Sequence, residues 1–86
     1  MKCSAEISMY HLDVNYIEPF TFFIKRLKRH PFISLETNGM STQVFGNYDN
    51  VITAIQKEMK NSFLHQQKVV FNMKVVNAHF QENPSI

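Results

Sequence analysis

The chain has a single cysteine, Cys3, so no intrachain disulfide can form, and neither a CxxC redox pair nor an MxCxxC copper loop is present. It has no tryptophan, only two glycines and three prolines, which leaves no Gly- or Pro-rich linker, low-complexity tract or repeat at which to divide 86 residues. No apolar run approaches the roughly 18 residues that a membrane-crossing helix needs, and "MKCSAEISMYHL" has only isolated apolar residues. These absences point to a reducing, cytoplasmic setting with no membrane. A formal charge of +2 is too small for a phosphate-tracking surface. Six of the nine basic residues fall in two groups, Lys25, Arg26, Lys28, Arg29 and Lys57, Lys60, which read as solvated helix faces rather than a nucleic-acid site.

Catalytic signatures are missing too. His11, His30, His65 and His79 have no metal-ligand spacing with one another or with Cys3, so they read as surface or loop histidines and no metal is expected. The serines lack a G-x-S-x-G elbow, and Cys3 alternates with core residues, which suits a buried structural thiol. "YHLDVNYIE" has neither the glycine nor the arginine of an acylphosphatase phosphate loop, and the glycine- and aromatic-rich octamer of an RNA-recognition domain is absent. The expectation is a protein that is not an enzyme and needs no cofactor.

What is present is pattern. Cys3, Ala5, Ile7 and Met9 alternate with Ser4, Glu6, Ser8 and Tyr10, predicting a first strand with one core face and one polar face. Asn15 and Glu18 have capping-box spacing before a helix beginning near Tyr16, whose apolar stripe is Ile17, Phe20, Phe23, Ile24 and Leu27 and which Pro31 ends. Two short β-prone runs flank Asn38-Gly39, a dipeptide that supplies the positive φ angles of a tight hairpin turn, with Met40 sharing the packing. Asn47 and Asp49 are candidate caps for a second helix with the stripe Val51, Ile52, Ile55, Met59 and Phe63. "KVVFNMKVVNA" alternates again as a last strand.

The order βαββαβ predicts an α+β, ferredoxin-like sandwich: a four-stranded antiparallel sheet with both helices on one face and strands one and three adjacent at its centre. One domain over residues 3–79 is expected, with a polar C-terminal tail over 80–86, frayed from Gln81 onward. So short a chain buries only about 60–70% of its unfolded surface, which favours oligomers. The open sheet face would carry Ser4, Glu6, Ser8 and Tyr10, Ser41 with Gln43 or Thr42, and Asn72 and Lys74. That surface is too polar for a second core and is solvated, paired with another subunit, or a small-molecule site. One carboxylate, one aromatic ring and several neutral donors and acceptors suit a flat, cationic or amine-bearing heterocycle.

"SMYHL" (Ser8–Leu12) and "MSTQVFGNYDNV" (Met40–Val51) resemble the two signatures of the YkoF-type family of thiamin and hydroxymethylpyrimidine binding proteins, a strand end written SLYPM or SLYPL and the pattern IST-x-x-x-G-x-x-D-x-V. The likeness runs from about Cys3 to Ala78. It implies a non-enzymatic cytoplasmic binder of thiamin or its hydroxymethylpyrimidine precursor, serving uptake, salvage or homeostasis and assembled as a homodimer or homotetramer. Ser8, Tyr10, Ser41 and Thr42 fall on motif positions and take a ligand-side role by the resemblance, with Thr42 expected to face Ser8 and Tyr10. Glu6 and Gln43 complete the candidate ligand-binding set from the polar face. Gly46 and Asp49 map as structural positions; His11 stands where the family has proline.

Overall fold

The computed structural model describes residues 1–12, 17–65 and 68–80. The candidate cap Asn15, the helix start at Tyr16 and the tail from Gln81 lie outside them. In chain order the elements are β1 (Lys2–His11), α1 (Ile17–Leu27), β2 (Ile33–Thr37), β3 (Thr42–Asn47), α2 (Tyr48–His65) and β4 (Val69–Val76). All strand pairs are antiparallel and the sheet order is β2-β3-β1-β4, with β1 and β3 central, so the α+β ferredoxin-like architecture is as its element order predicts.

Alternation along β1 sends Cys3, Ala5 and Ile7 into the core, where they meet Phe23, Ile24 and Leu27 of α1, Val44 of β3, and Val51, Ala54 and Ile55 of α2. Burial pushes the Cys3 thiol up from its ordinary value, as suits a structural cysteine. The last turn of α1 tightens through Arg29 N–H to the Arg26 carbonyl (3.1 Å) and His30 N–H to the Leu27 carbonyl (3.2 Å). The first N–H of α2, that of Tyr48, donates to the Met1 carbonyl at 2.8 Å, so the chain's first residue closes this helix end, while Asp49 complements the dipole from the first turn.

Three sequence expectations shift. The buried stripe of α2 is Val51, Ala54, Ile55, Glu58 and Ser62, whereas Ile52 and Met59 are half-buried and Phe63 is 50% exposed. The stripe rotates because Glu58 meets the Arg26 guanidinium and the His30 ring near the end of α1; Phe63 turns instead toward the edge strand, with its ring 5.5 Å from Phe71. The hairpin after β2 needs no positive φ at Gly39: the Asn38 carboxamide oxygen accepts from Met40 N–H (2.8 Å) and Ser41 N–H (3.1 Å), and Asn38 N–H donates to the Ser41 carbonyl (3.1 Å). A side-chain oxygen thus does what a left-handed glycine was expected to do. Met40, at the tip of this loop, is 89% exposed and packs no core.

Gly46 does have a backbone role. It pairs with Ile33, and a Cβ there would lie 2.8 Å from the carbonyl oxygen of Phe32, closer than non-bonded atoms tolerate. Phe32 itself takes a positive φ of 68° as the chain turns into β2.

Candidate functional site

The sheet face opposite the helices carries the site. Strand register lines up Glu36, Gln43, Glu6 and Lys74 in one row across all four strands, with Gln43 opposite Glu36 on one side and Glu6 on the other. Residues directly opposed in neighbouring strands point to the same face, so this row is a consequence of register alone. Its centre is hydrogen-bonded: Gln43 Nε2 donates to Ser41 Oγ (2.7 Å), and Ser41 Oγ donates to Glu6 Oε2 (3.2 Å).

On one side of the row lies a polar cleft of about 470 Å³, lined by Glu6, Ser8, Tyr10, Ser41, Gln43 and the hairpin residues Asn38, Gly39 and Met40. That volume falls within the range of small-molecule sites. Ser41 is 8% exposed and Tyr10 53%, so the hydroxyl is fixed in the wall while the aromatic ring stands open. On the other side lies a more apolar concavity of about 350 Å³, where Phe45, Val76 and Phe80 join Ser4 and Lys74, and Glu6 and Gln43 line both.

This second concavity exists because the residues after β4 fold back over the sheet. Ser4 Oγ donates to the Ala78 carbonyl (2.7 Å) and accepts from Phe80 N–H (3.0 Å). The His79 ring lies 5.5 Å from that of Phe45. Ser4 is therefore a buried anchor rather than a free hydroxyl, and Phe45 is only 3% exposed although it belongs to the open face. Phe80, counted with the C-terminal tail by composition, is tied to the sheet through its own backbone.

Of the six candidate residues, Glu6, Ser8, Tyr10, Ser41 and Gln43 meet in the polar cleft. Thr42 does not. It pairs with Ile7 on β1 and Thr37 on β2, is 1% exposed, and shares a 3.1 Å hydroxyl–hydroxyl hydrogen bond with Thr37. The expectation that Thr42 faces Ser8 and Tyr10 is corrected by the two-residue period of the strand: if Ser41 and Gln43 face outward, Thr42 must face the helices. Lys74 lies on the open face as expected, and register sets it opposite Glu6. Glu36 and the hairpin rim are additions; Glu36 needs the cross-strand register, whereas Asn38 could have been found from its preference for bonding its own downstream backbone.

On the helix side, the histidines are not all free surface groups. His30 Nε2 lies 2.6 Å from Glu58 Oε2, and the His65 ring stacks 4.0 Å from Phe22. Arg26, assigned to a solvated face, donates through Nε to Glu58 Oε1 at 2.7 Å. Among the described residues no group of three or more His, Cys, Asp or Glu could hold a metal ion, and no helix is long and apolar enough to cross a membrane.

No family model matches the chain, and no curated protein matches it. Solved structures do. A hypothetical protein of Methanocaldococcus jannascii superposes with a TM-score of 0.77 at 24% identity, over 96% of this chain and 87% of its own. A protein of Streptococcus pneumoniae superposes with a TM-score of 0.83 at 16% identity, over 92% and 89%. A "putative thiamine biosynthesis/salvage protein" of Thermotoga maritima superposes with a TM-score of 0.75 at 13% identity, over 87% and 82%. At such identities the likeness shows the shared fold.

Proposed function

We propose that the chain binds thiamin or its hydroxymethylpyrimidine precursor reversibly, without chemistry, in the polar cleft on the open sheet face. The observation that carries this reading is the hydrogen-bonded chain Glu6–Ser41–Gln43 beside the exposed Tyr10 ring. Glu6 is exposed and has one described hydrogen bond, so its carboxylate retains acceptor capacity for a ligand amino group. Tyr10 offers a face for stacking and for cation–π attraction to a positively charged ring. Ser8 and the Gln43 carboxamide oxygen supply further contacts to ring nitrogens and substituents. The thiamin label of one fold neighbour and the motif resemblance favour this ligand class over other amine-bearing heterocycles.

The same face also favours self-association. Tyr10, Val70, Val76 and Phe80 are 53%, 45%, 36% and 65% exposed, an unusual apolar content for a solvated sheet. A homodimer or homotetramer that closes over this face places the cleft at or near the subunit interface; a structural or regulatory oligomer with no ligand is the alternative. Isothermal titration with thiamin, its phosphates and hydroxymethylpyrimidine separates the two. The expected outcome is saturable heat with a matching rise in Tm, because a ligand that binds only the folded state stabilises it. Absence of both for every compound overturns the binding reading and leaves the oligomer.

A further inference from the structure

A third concavity, of about 280 Å³, lies on the helix layer, opposite the sheet face, and is lined by Arg26, Arg29, His30, Pro31, Lys57 and Glu58. Three side chains here carry a fixed positive charge, against one carboxylate. That carboxylate is already engaged. Glu58 is 3% exposed; its Oε1 accepts from Arg26 Nε (2.7 Å) and Asn61 Nδ2 (2.9 Å), and its Oε2 faces His30 Nε2 (2.6 Å).

Glu58 therefore acts as a post that holds Arg26 and His30 in place rather than as a competitor for their remaining donors. Arg26 meets Glu58 only through Nε, and its guanidinium carbon lies 5.6 Å from the centre of the Phe22 ring, within reach of cation–π attraction. Its two terminal amino groups make no hydrogen bond among the described residues, and such a pair of parallel donors matches two oxygens of one anion. Arg29, in the turn after α1, and Lys57, on α2, are both exposed at the rim and add positive charge from either side.

We propose that this concavity is a binding site for a small oxyanion, phosphate or the phosphate group of a monoester, held by the terminal amino groups of Arg26 and by Arg29 and Lys57. A hollow of about 280 Å³ admits a phosphate with room for part of the group that it esterifies. Three cations around one hollow make a point site; they do not form the extended stripe that tracks a nucleic-acid backbone. The site lies on the opposite layer from the thiamin cleft and does not depend on it.

Backbone amide NMR on the full chain tests the proposal, with inorganic phosphate and phenyl phosphate as probes and sodium chloride at matched ionic strength as control. The expected result is a saturable shift confined to residues 26–31 and 57–58, with a Kd in or below the millimolar range. Equal response to both probes assigns free phosphate as sufficient, and a tighter response to phenyl phosphate assigns a monoester; either supports the site. Arg29→Ala and Lys57→Ala, exposed positions that leave Glu58 paired, are each expected to weaken binding about tenfold, whereas Lys28→Ala in the same turn as Arg29 leaves it unchanged. Chloride reproducing the shifts, no saturable shift, or Lys28→Ala weakening binding as much as Arg29→Ala overturns it. Thiamin titration is expected to be the same in Arg29→Ala as in the parent chain, so failure here and failure of the cleft reading are distinguishable.

Discussion

Glu6 and Glu58 both sit mid-element, one on a central strand and one on the longer helix, and both accept hydrogen bonds from neighbouring side chains. Glu58 lies between the helices, 3% exposed, with Arg26, His30 and Asn61 on its two oxygens. Glu6 lies on the open sheet, exposed, with Ser41 on one oxygen. A carboxylate saturated inside the protein has nothing left to offer a ligand and much to lose on protonation. A carboxylate fixed on one side and open on the other keeps acceptor capacity, which is why the proposed binding role falls to Glu6. Burial and coordination, rather than residue type, separate a structural acid from a binding one.

The largest effect should come from the helix-side acid. Burial alone would raise the Glu58 pKa, but hydrogen bonds from Asn61, His30 and Arg26, together with the Arg26 charge, outweigh it and hold the group at about 2 against an ordinary 4.5. A folded pKa below the unfolded one stabilises the fold fully above the unfolded value, and this contribution is lost as pH falls from about 4.5 through about 2. The difference corresponds to roughly 3 kcal/mol. Glu58→Gln should therefore lower stability at pH 7 by about 3 kcal/mol in urea unfolding and flatten the acid limb of the stability profile below pH 5. An unchanged acid limb would sink the assignment of Glu58 as the dominant acid-sensitive group.

Next in size is the complementary change on the sheet. Glu6→Gln keeps the side chain's shape and an acceptor oxygen for Ser41, and its position is exposed, so stability should move by no more than about 0.5 kcal/mol. Thiamin affinity by titration should fall at least about tenfold, since a hydrogen bond to a charged acceptor contributes roughly 1.5–3 kcal/mol. The opposite pattern, stability lost and affinity kept, would reverse the roles given to the two acids. Thr42→Ser is a useful companion: Thr42 faces the helices, so its direct effect should be on stability, with thiamin affinity unchanged.

The same contrast explains what the sequence made legible. Strand and helix periodicities gave the element order and the core face of β1, because periods of two and 3.6 residues are local properties; the adjacency of β1 and β3 followed from that order through right-handed crossovers. The open-face site was legible where alternation was unambiguous, as for Glu6, Ser8 and Tyr10. It failed at Thr42 because Ser41, Thr42 and Gln43 are all polar, and three consecutive polar residues do not say which of them points inward; the register against Ile7 and Thr37 decides that. Glu58 was hidden for a related reason. A glutamate on an amphipathic helix reads as solvent-facing, and only the approach of Arg26 and His30, 32 and 28 positions earlier in the chain, makes its burial favourable. Residues 78–80 folding back onto Ser4 left no periodic signal.

The smallest effect probes the helix side once more. Ser62 follows Glu58 by one helical turn on the same buried stripe, at 1% exposure, yet its hydroxyl has no hydrogen-bond partner among the described residues. An unsatisfied buried hydroxyl costs about 1–3 kcal/mol, and alanine is also the better helix former. Ser62→Ala should thus raise stability by about 1 kcal/mol, seen as a higher urea midpoint at unchanged slope. If instead the variant is destabilised, the hydroxyl has a bound water as partner, and Glu58 and Ser62 belong to one satisfied polar layer between the helices. Combining Ser62→Ala with Glu58→Gln distinguishes these cases, because independent sites add within about 0.5 kcal/mol whereas members of one network do not.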